Sequence, residues 1–184
     1  MKSKFDEALT LFQNGQLNKA KDICLEILKA QPNNFNALHL LGLIAFQTKN
    51  YLKSVEIIDR AIQVKPNDAD IYNFHAVVLI HLKKFEEAIK SWNCAIKIKP
   101  DYAEAYYNRG NAFFGLKKIE SAIASYDKAI QTKPDYAEAY NNRGNALREL
   151  KKIESAIASY DKAIQIKPDY AEAYKNRGYA LLDL

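Results

Sequence analysis

The sequence predicts an all-α protein made of stacked helix pairs, and three observations support this fold class. The chain has only five prolines, and each lies 34 residues from the next: Pro32, Pro66, Pro100, Pro134 and Pro168. The phrase KPDYAEAY occurs three times at the same spacing. The segments between the prolines carry apolar residues at helical intervals. One helix pair of this size cannot bury its apolar face alone, whereas a stack of pairs can.

Each unit between two prolines contains two segments of helical period. In residues 103–116, Tyr106, Gly110 and Phe113 recur at three- and four-residue steps, and residues 119–132 show the same pattern. The sequence therefore predicts one helix in each segment.

The ends of these segments carry residues typical of helix boundaries. Lys117 and Lys118 form a short basic turn between the two helices. Pro134 stops the second helix, because proline lacks an amide donor and disfavours a helical residue before it. Asp135 then offers a side-chain acceptor near the start of the next helix.

Residues at equivalent positions form series that predict how the helices meet. The small-residue series are Ala8, Gly42, Ala76, Gly110, Gly144 and Gly178; Ala20, Ser54, Ala88, Ala122 and Ala156; and Ala61, Ala95, Ala129 and Ala163, with Ile27 as an exception. A bulkier series consists of Cys24, Ile58, Trp92, Tyr126 and Tyr160. Small residues allow two helices to approach closely, and glycine costs about 1 kcal/mol of helix propensity for that contact. The bulky series is expected to fill the space beside it.

The composition limits the function classes. With 48% hydrophobic and 27% charged residues, the profile is that of an ordinary soluble protein. The net charge of +5 is too weak to indicate nucleic acid, because Lys is interleaved with Asp and Glu. No apolar run is long enough to cross a membrane, and the N-terminal segment has acidic residues where a secretory signal is apolar. A cytoplasmic location is therefore predicted.

The cysteines and histidines do not indicate a chemical site. Cys24 and Cys94 lie in different repeats and are predicted to be small buried side chains rather than a disulfide. No CxxC or histidine-rich pair is present, so neither a metal nor a cofactor is predicted. His39, His75 and His81 are interpreted as groove or packing residues, and no nucleophile with a base can be assembled. The protein is predicted not to be an enzyme.

The repeat resembles the tetratricopeptide repeat (TPR) over the whole chain. The residues that carry the resemblance are Tyr106, Gly110, Ala122, Tyr126, Ala129, Pro134 and their equivalents. The resemblance implies one solenoid over residues 1–184, a right-handed superhelix of antiparallel helix pairs. Its units would be five full repeats (1–34, 35–68, 69–102, 103–136 and 137–170) and a half repeat (171–184). It also implies a concave face, made mostly by the first helices, that binds peptides or proteins.

By the same resemblance, the groove changes character along its length. An early apolar part would consist of Leu40, Leu43, Phe46, Phe74, Val77 and Ile80. A late polar part would consist of Tyr107, Asn108, Asn111, Asn141, Asn142, Asn145, Arg148 and Asn176. Repeats 103–136 and 137–170 differ at groove positions such as Tyr107/Asn141, while nearly all of their core residues agree. Drift at exposed positions is an alternative explanation of these differences.

The late asparagines predict a ladder for an extended peptide. An asparagine amide carries donors and an acceptor, so it can pair with the backbone of a peptide whatever its side chains. The pattern looks like the asparagine ladder in the TPR arm of O-linked N-acetylglucosamine transferases and related bacterial proteins. The asparagines could equally be solvated polar residues or caps of neighbouring loops.

The sequence gives little support to two other binding functions. A carboxylate clamp for chaperone tails lacks its three cations in the best register, where Glu172 would repel a carboxylate. The support for nucleic-acid binding along the lysine pairs of the turns is weak, since most tyrosines lie at core positions.

The alternative to a free-standing scaffold is the substrate-recruiting arm of a larger enzyme such as a glycosyltransferase. Head-to-tail self-association is a further expectation, through the uncovered last helix or the early groove.

Overall fold

The computed structural model describes residues 3–184, and this part of the chain contains eleven α-helices and no strand. The helices are α1 (Lys4–Gln13), α2 (Leu17–Ala30), α3 (Phe35–Gln47), α4 (Tyr51–Val64), α5 (Ala69–His81), α6 (Phe85–Ile98), α7 (Ala103–Gly115), α8 (Ile119–Thr132), α9 (Ala137–Glu149), α10 (Ile153–Ile166) and α11 (Ala171–Leu182). The predicted all-α fold of repeated helix pairs is confirmed. The two helices predicted in residues 103–116 and 119–132 correspond to α7 and α8.

The helices form two compact units. Unit 1 comprises residues 1–98, described from Ser3, with α1 to α6; unit 2 comprises residues 99–184, with α7 to α11. Within each unit, every helix packs against the next one along the chain. First helices of neighbouring pairs are also in contact: α1 contacts α3, α7 contacts α9, and α9 contacts α11. A single solenoid over residues 1–184 stays a prediction.

Apart from Gly178, which is exposed, the small and bulky series lie in the core of each unit, as predicted. The residues equivalent to Ala20 and those equivalent to Ala61 are fully buried in the complete repeats. The one exception is Ile27, which takes the place of Ala61 in the first repeat and is half-buried. The bulky series is also buried, from Cys24 in unit 1 to Tyr160 in unit 2. Small side chains on one helix thus leave room for a large one on its partner.

The closest of these contacts are between glycines and tyrosine rings in unit 2. A Cβ atom added at Gly110 would lie 2.6 Å from Cε1 of Tyr126, and one added at Gly144 would lie 2.5 Å from Cε1 of Tyr160. Each ring therefore lies directly on the backbone of the first helix. Because neither position has room for a methyl group, glycine is required there for packing.

The turn inside each repeat has one residue in the left-handed region. These residues are Gly15 (φ 74°), Lys49 (φ 60°), Lys83 (φ 59°), Lys117 (φ 59°) and Lys151 (φ 59°). A residue with a Cβ atom is strained by about 1–2 kcal/mol in this conformation. The predicted basic turn at Lys117 and Lys118 is confirmed, and it keeps its shape in four repeats without glycine.

The predicted helix cap at Asp135 is wrong. Helix α9 begins at Ala137 after Tyr136, and no side chain caps its first turn. The carbonyl of Asp135, not its side chain, accepts the Ala137 amide at 3.1 Å. A capping side chain belongs to the residue directly before the helix, and Asp135 is one residue too early. In unit 1 that residue is Asn34 or Asp68, and both side chains accept first-turn amides.

Candidate functional site

Four asparagines of unit 2 form a directed chain of side-chain hydrogen bonds, called here the amide chain. Asn176 on α11 donates its Nδ2 to Oδ1 of Asn141 at 3.0 Å. Asn141 donates to Oδ1 of Asn142 at 3.2 Å, both being on α9. Asn142 donates to Oδ1 of Asn111 on α7 at 2.9 Å. The amide chain therefore joins three successive first helices.

Tyrosine hydroxyls anchor the asparagines on the other side. Tyr126 donates its hydroxyl to Oδ1 of Asn111 at 2.9 Å, and Tyr160 donates to Oδ1 of Asn145 at 2.8 Å. Asn142 also donates to the hydroxyl of Tyr107 at 3.1 Å. Burial raises the pKa of Tyr160 to about 12 and that of Tyr126 further, so both hydroxyls keep their protons at neutral pH.

These contacts leave a limited set of groups for a ligand. Both acceptor positions of Asn111 Oδ1 are taken, and Oδ1 of Asn145 is turned toward Tyr160. Among residues 3–184, no side-chain hydrogen bond uses Nδ2 of Asn111 or of Asn145. Asn176 keeps its Oδ1, and Asn108 is half-buried. The ladder positions are thus already partly engaged with the protein itself.

One predicted late-groove residue is not accessible. Asn141 has 0% exposure, so it holds Asn176 and Asn142 but cannot touch a ligand in this conformation. The other predicted late-groove residues are half-buried: Tyr107, Asn108, Asn111, Asn142, Asn145, Arg148 and Asn176. Whether they form a ligand site stays a prediction.

A cavity of about 470 Å³ lies at the end of this surface. It is lined by Phe114, Asn145, Arg148 and Asn176, among others. Nε of Arg148 lies 2.6 Å from Oδ2 of Asp183, which also lines the cavity. This ion pair lowers the pKa of Asp183. The cavity therefore combines an aromatic ring, free amide groups and an internally paired charge.

The early groove in unit 1 is aromatic rather than polar. The Phe46 ring packs edge-on against Phe74 at 5.7 Å and against His81 at 5.0 Å. His81 in turn stacks on Tyr51 at 4.8 Å. Tyr51 was not among the predicted groove residues, because it lies on a second helix; its place as the first residue of α4, directly after the turn that follows α3, was the available signal.

Leu40 departs from the prediction for the early groove. Its exposure is 3%, and it belongs to the core of unit 1. The predicted groove residues Leu43, Phe46, Phe74, Val77 and Ile80 are half-buried. Leu40 is therefore a core residue and not a groove residue.

Comparison with known proteins identifies the repeat. A family model described as TPR repeat matches residues 76–117, 110–150 and 144–184. The chain belongs to the tetratricopeptide repeat family. Such solenoids present extended concave surfaces for binding. A model described as anaphase-promoting complex, cyclosome, subunit 3 matches residues 23–93. A search of curated proteins gave no match.

Solved structures share the TPR fold. A crystal structure of MamA has a TM-score of 0.84 at 24% identity, covering 90% of this chain and 96% of that one. YrrB, described as a TPR protein with an unusual peptide-binding site, has a TM-score of 0.83 at 19% identity, covering 95% and 90%. The C-terminal part of a TPR protein from Cytophaga hutchinsonii has a TM-score of 0.86 at 17% identity, covering 97% and 70%. At these identities the likeness concerns the fold.

The arginines of the TPR phrase KNRG/NNRG/YNRG bind the second helices. In unit 2, Nε of Arg143 lies 2.6 Å from Oδ1 of Asp127, and its Nη1 donates to Ser159 at 2.8 Å. Arg177 pairs with Asp161 at 2.5 Å in the same way. These two guanidinium groups therefore link first helices to second helices within unit 2.

Unit 1 has a histidine in the same role. Nδ1 of His75 lies 2.9 Å from the Ser91 hydroxyl, and its Nε2 lies 3.3 Å from Oδ1 of Asp59. Burial lowers the pKa of His75, while Asp59 opposes that shift. His75 is thus a packing residue, one of the two roles predicted for it.

The two cysteines differ in their burial. Cys24 is buried and its pKa is raised to about 11 by burial, whereas Cys94 is exposed, contrary to the prediction. Across residues 3–184, no group of three or more His, Cys, Asp or Glu residues is placed to hold a metal ion. Within the same residues, no helix has both the length and the apolar character needed to cross a membrane.

Proposed function

We propose that this TPR protein is a binding scaffold and that the first helices of unit 2 hold an extended peptide by its backbone. The observation that carries the proposal is the pair of unused Nδ2 groups at Asn111 and Asn145. These two residues occupy equivalent positions on α7 and α9, and both side chains are partly exposed. Each hydrogen bond to a peptide would contribute about 0.5–1.5 kcal/mol net.

Two further points support a peptide as ligand. The cavity beside Asn145 contains the Phe114 ring, so a peptide side chain could pack there while its backbone meets the amides. YrrB, a protein of the same fold, is described as having a peptide-binding site. The predicted cytoplasmic location stays a prediction.

The test is a binding assay with a library of blocked random octapeptides. The double variant Asn111→Asp with Asn145→Asp keeps the oxygens that Tyr126 and Tyr160 need but replaces both free donors. It should lose about tenfold or more in affinity, given two hydrogen bonds of the expected strength. The charge-matched control, Asn33→Asp with Asn67→Asp, lies in exposed turns of unit 1 and should bind like the wild type. Equal affinity of both double variants would refute the proposal.

We also propose that a second copy of this chain is a binding partner. Tyr174 and Leu181 on α11 are 48% and 49% exposed, and nothing lies within 4 Å of a Cβ atom added at Gly178 between them. Exposed apolar strips of this kind tend to be covered by a partner. Light scattering over a wide concentration range should show association that Leu181→Glu abolishes. A monomer at every concentration would contradict it.

A further inference from the structure

A cavity of about 510 Å³ in unit 1 lies apart from the groove. It is lined by residues of α2, α3 and α4, and its lining includes the buried residues Leu41, Ile44 and Ala45 of α3. The residues described as lining the cavity include none of the predicted groove residues. The cavity therefore lies on another face of α3 than the early groove.

The equivalent place in unit 2 is filled by a polar contact between three helices. Arg143 on α9 reaches Oδ1 of Asp127 on α8 at 2.6 Å and the Ser159 hydroxyl on α10 at 2.8 Å. The residues at the same three repeat positions in the cavity are all aliphatic: Leu25, Leu41 and Ile57. Since these side chains form no hydrogen bonds, the polar contact is replaced here by an aliphatic surface.

Two small residues make room for the cavity. The equivalents of Ala45 in the next three repeats are Leu79, Phe113 and Leu147, and those of Thr48 are Leu82, Leu116 and Leu150. Both Ala45 and Thr48 line the cavity. Protein interiors are close-packed, so the loss of two large side chains leaves space that the rest of the repeat does not fill. The cavity is therefore a local departure from the repeat pattern.

The rim of the cavity is positively charged. Lys21 on α2 occupies a position that is aliphatic in the four later complete repeats, where the residues are Val55, Ile89, Ile123 and Ile157. Lys53 on α4 also lines the cavity, and its ammonium group pairs with Glu56 at 2.8 Å. The residues described as lining the cavity include these two lysines and no acidic residue. An anionic group next to an apolar one therefore complements the site.

We propose that this cavity binds a large apolar side chain of a partner protein that has an acidic residue beside it. The apolar side chain packs against Leu41 and Ile44, and the carboxylate pairs with Lys21. Cavities of roughly 300–1,000 Å³ with apolar walls and a few polar groups are typical ligand sites. Leu25, which is 40% exposed, extends the aliphatic surface outward, so a protein segment covers more of it than a small free acid does. The site is separate from the groove of unit 2, and either proposal can fail without the other.

The first experiment compares three blocked octapeptides, composed of leucine with glutamate, leucine with lysine, and serine with glutamate in the same order. Binding is followed through the methyl signals of Ala45 and Ile44 in nuclear magnetic resonance titrations of the full chain. The leucine–glutamate peptide should shift both signals and bind about fivefold or more tightly than either of the others. Equal binding of the leucine–lysine or the serine–glutamate peptide would show that charge or apolar contact is not recognised, and the inference would be wrong.

Octanoate serves as the probe for a free acid. It carries one carboxylate and an apolar chain but no peptide backbone. If octanoate shifts the signals of Ala45 and Ile44 and no peptide does, the ligand is a small acid and the protein-partner inference is refuted. If no probe shifts these signals, the cavity is not a ligand site and the inference is refuted as well.

The repeat itself supplies the variant that fills the cavity. Ala45→Leu with Thr48→Leu introduces the side chains that the third repeat has at Leu79 and Leu82. The double variant should lose about tenfold or more in affinity for the leucine–glutamate peptide, while its melting temperature is at least that of the wild type, because filling a cavity stabilises. A folded double variant that binds like the wild type would overturn the proposal.

A second variant tests the charge without changing the packing of α3. Lys21→Ile introduces the aliphatic residue of the later repeats and should lower the affinity for the leucine–glutamate peptide about two- to fivefold, as for one exposed ion pair. The matched control is Lys29→Ile, at an exposed position of the same helix outside the cavity lining, and it should bind like the wild type. Equal affinities of the two variants would contradict the role of Lys21.

Discussion

The same pair of groove positions is filled by rings in unit 1 and by hydrogen-bonding groups in unit 2. His39 and Phe74 lie on neighbouring first helices of unit 1, with ring centres 5.9 Å apart. Their equivalents in unit 2, Tyr107 and Asn142, are joined by a hydrogen bond of 3.1 Å. The core positions beneath them are filled alike in both units, by small residues against a bulky one. The core residues therefore determine the helix packing in both units, while the groove residues differ in their chemistry.

The difference has a physical consequence for the groove surface. Apolar contacts depend less on orientation than hydrogen bonds do, so unit 1 is expected to tolerate the exchange of one apolar side chain for another of similar volume. Hydrogen bonds need matched donors and acceptors, so a change at Asn142 also affects Asn111 and Tyr107. Unit 2 is expected to be the less tolerant of the two.

The largest expected effect compares two glycines. Gly144→Ala places a methyl group 2.5 Å from the rigid Tyr160 ring, whereas Gly42→Ala places one 3.0 Å from Cγ1 of Ile58, which needs to move by only a few tenths of an ångström. Overpacking of the first kind should cost about 3 kcal/mol, and Gly42→Ala should cost less than about 1 kcal/mol. Chemical denaturation of the full chain measures both.

Gly178→Ala is the internal control for this comparison. It lies at the same repeat position, but nothing lies within 4 Å of the added methyl group. Alanine there should stabilise α11 by up to about 1 kcal/mol through helix propensity. If the three substitutions changed stability equally, the tyrosine contact would not be the reason why glycine is required at this position.

The second prediction replaces the groove residues themselves. Asn142→Leu removes the donor of two hydrogen bonds and leaves Tyr107 and Asn111 with unmatched groups, which should cost about 2 kcal/mol. Phe74→Leu at the equivalent position of unit 1 keeps an apolar side chain and should cost less than about 1.5 kcal/mol. A larger loss for Phe74→Leu would reverse the comparison.

This prediction also revises what the sequence suggests for the ladder. Seen as separate polar residues, Asn142 and Asn176 are equal to Asn111 as ligand contacts. In the structure they are donors within the protein, and their replacement changes stability as well as binding.

Much of the fold could be predicted because it depends on local period and size. Repeat spacing, helix segments and the burial of Ala129 or Tyr126 all follow from periodicity. The amide chain could not, since it depends on the rotamers of asparagines from three helices. The hydroxyls of Tyr126 and Tyr160 were a usable signal, because a buried phenol needs a partner. Cys94 is exposed, contrary to the prediction, because apolar residue type alone does not establish burial.

The third prediction concerns alkaline pH. Burial raises the pKa of Tyr160 and Tyr170 to about 12, and those of Tyr126 and Tyr136 further. A folded-state pKa above the unfolded value of about 10 means that stability is complete below pH 10 and declines as pH rises toward the folded value. Unit 2, which contains all four tyrosines, should therefore lose stability steeply above about pH 10.

Unit 1 provides the contrast. There, burial raises the pKa of Cys24 to about 11 and also raises that of Tyr72. Because an unfolded cysteine has a pKa of about 8.5, the stability of unit 1 begins to decline at a lower pH than that of unit 2, but fewer groups contribute. Trp92 is the only tryptophan and its fluorescence reports on unit 1, while tyrosinate absorbance reports mainly on unit 2. Tyr126→Phe with Tyr160→Phe should flatten the pH dependence of unit 2. An unaltered slope in that variant would disprove the assignment to the two tyrosines.

The smallest expected effect concerns the turns, where the two units agree. Lys83 in unit 1 and Lys117 in unit 2 have the same φ of 59°, and Gly15 has a φ of 74° at the equivalent position. Glycine relieves about 1–2 kcal/mol of left-handed strain but adds about 0.5–1 kcal/mol of unfolded-state entropy. Lys83→Gly and Lys117→Gly should each stabilise by about 0.5 kcal/mol, whereas Lys117→Ala keeps the Cβ atom and should change nothing. Because the strain is a property of the turn backbone, the two glycine variants should agree within error in denaturation. A difference between them would mean that the stability of the turn depends on the groove residues of its unit. The backbone packing would then not be independent of the groove chemistry.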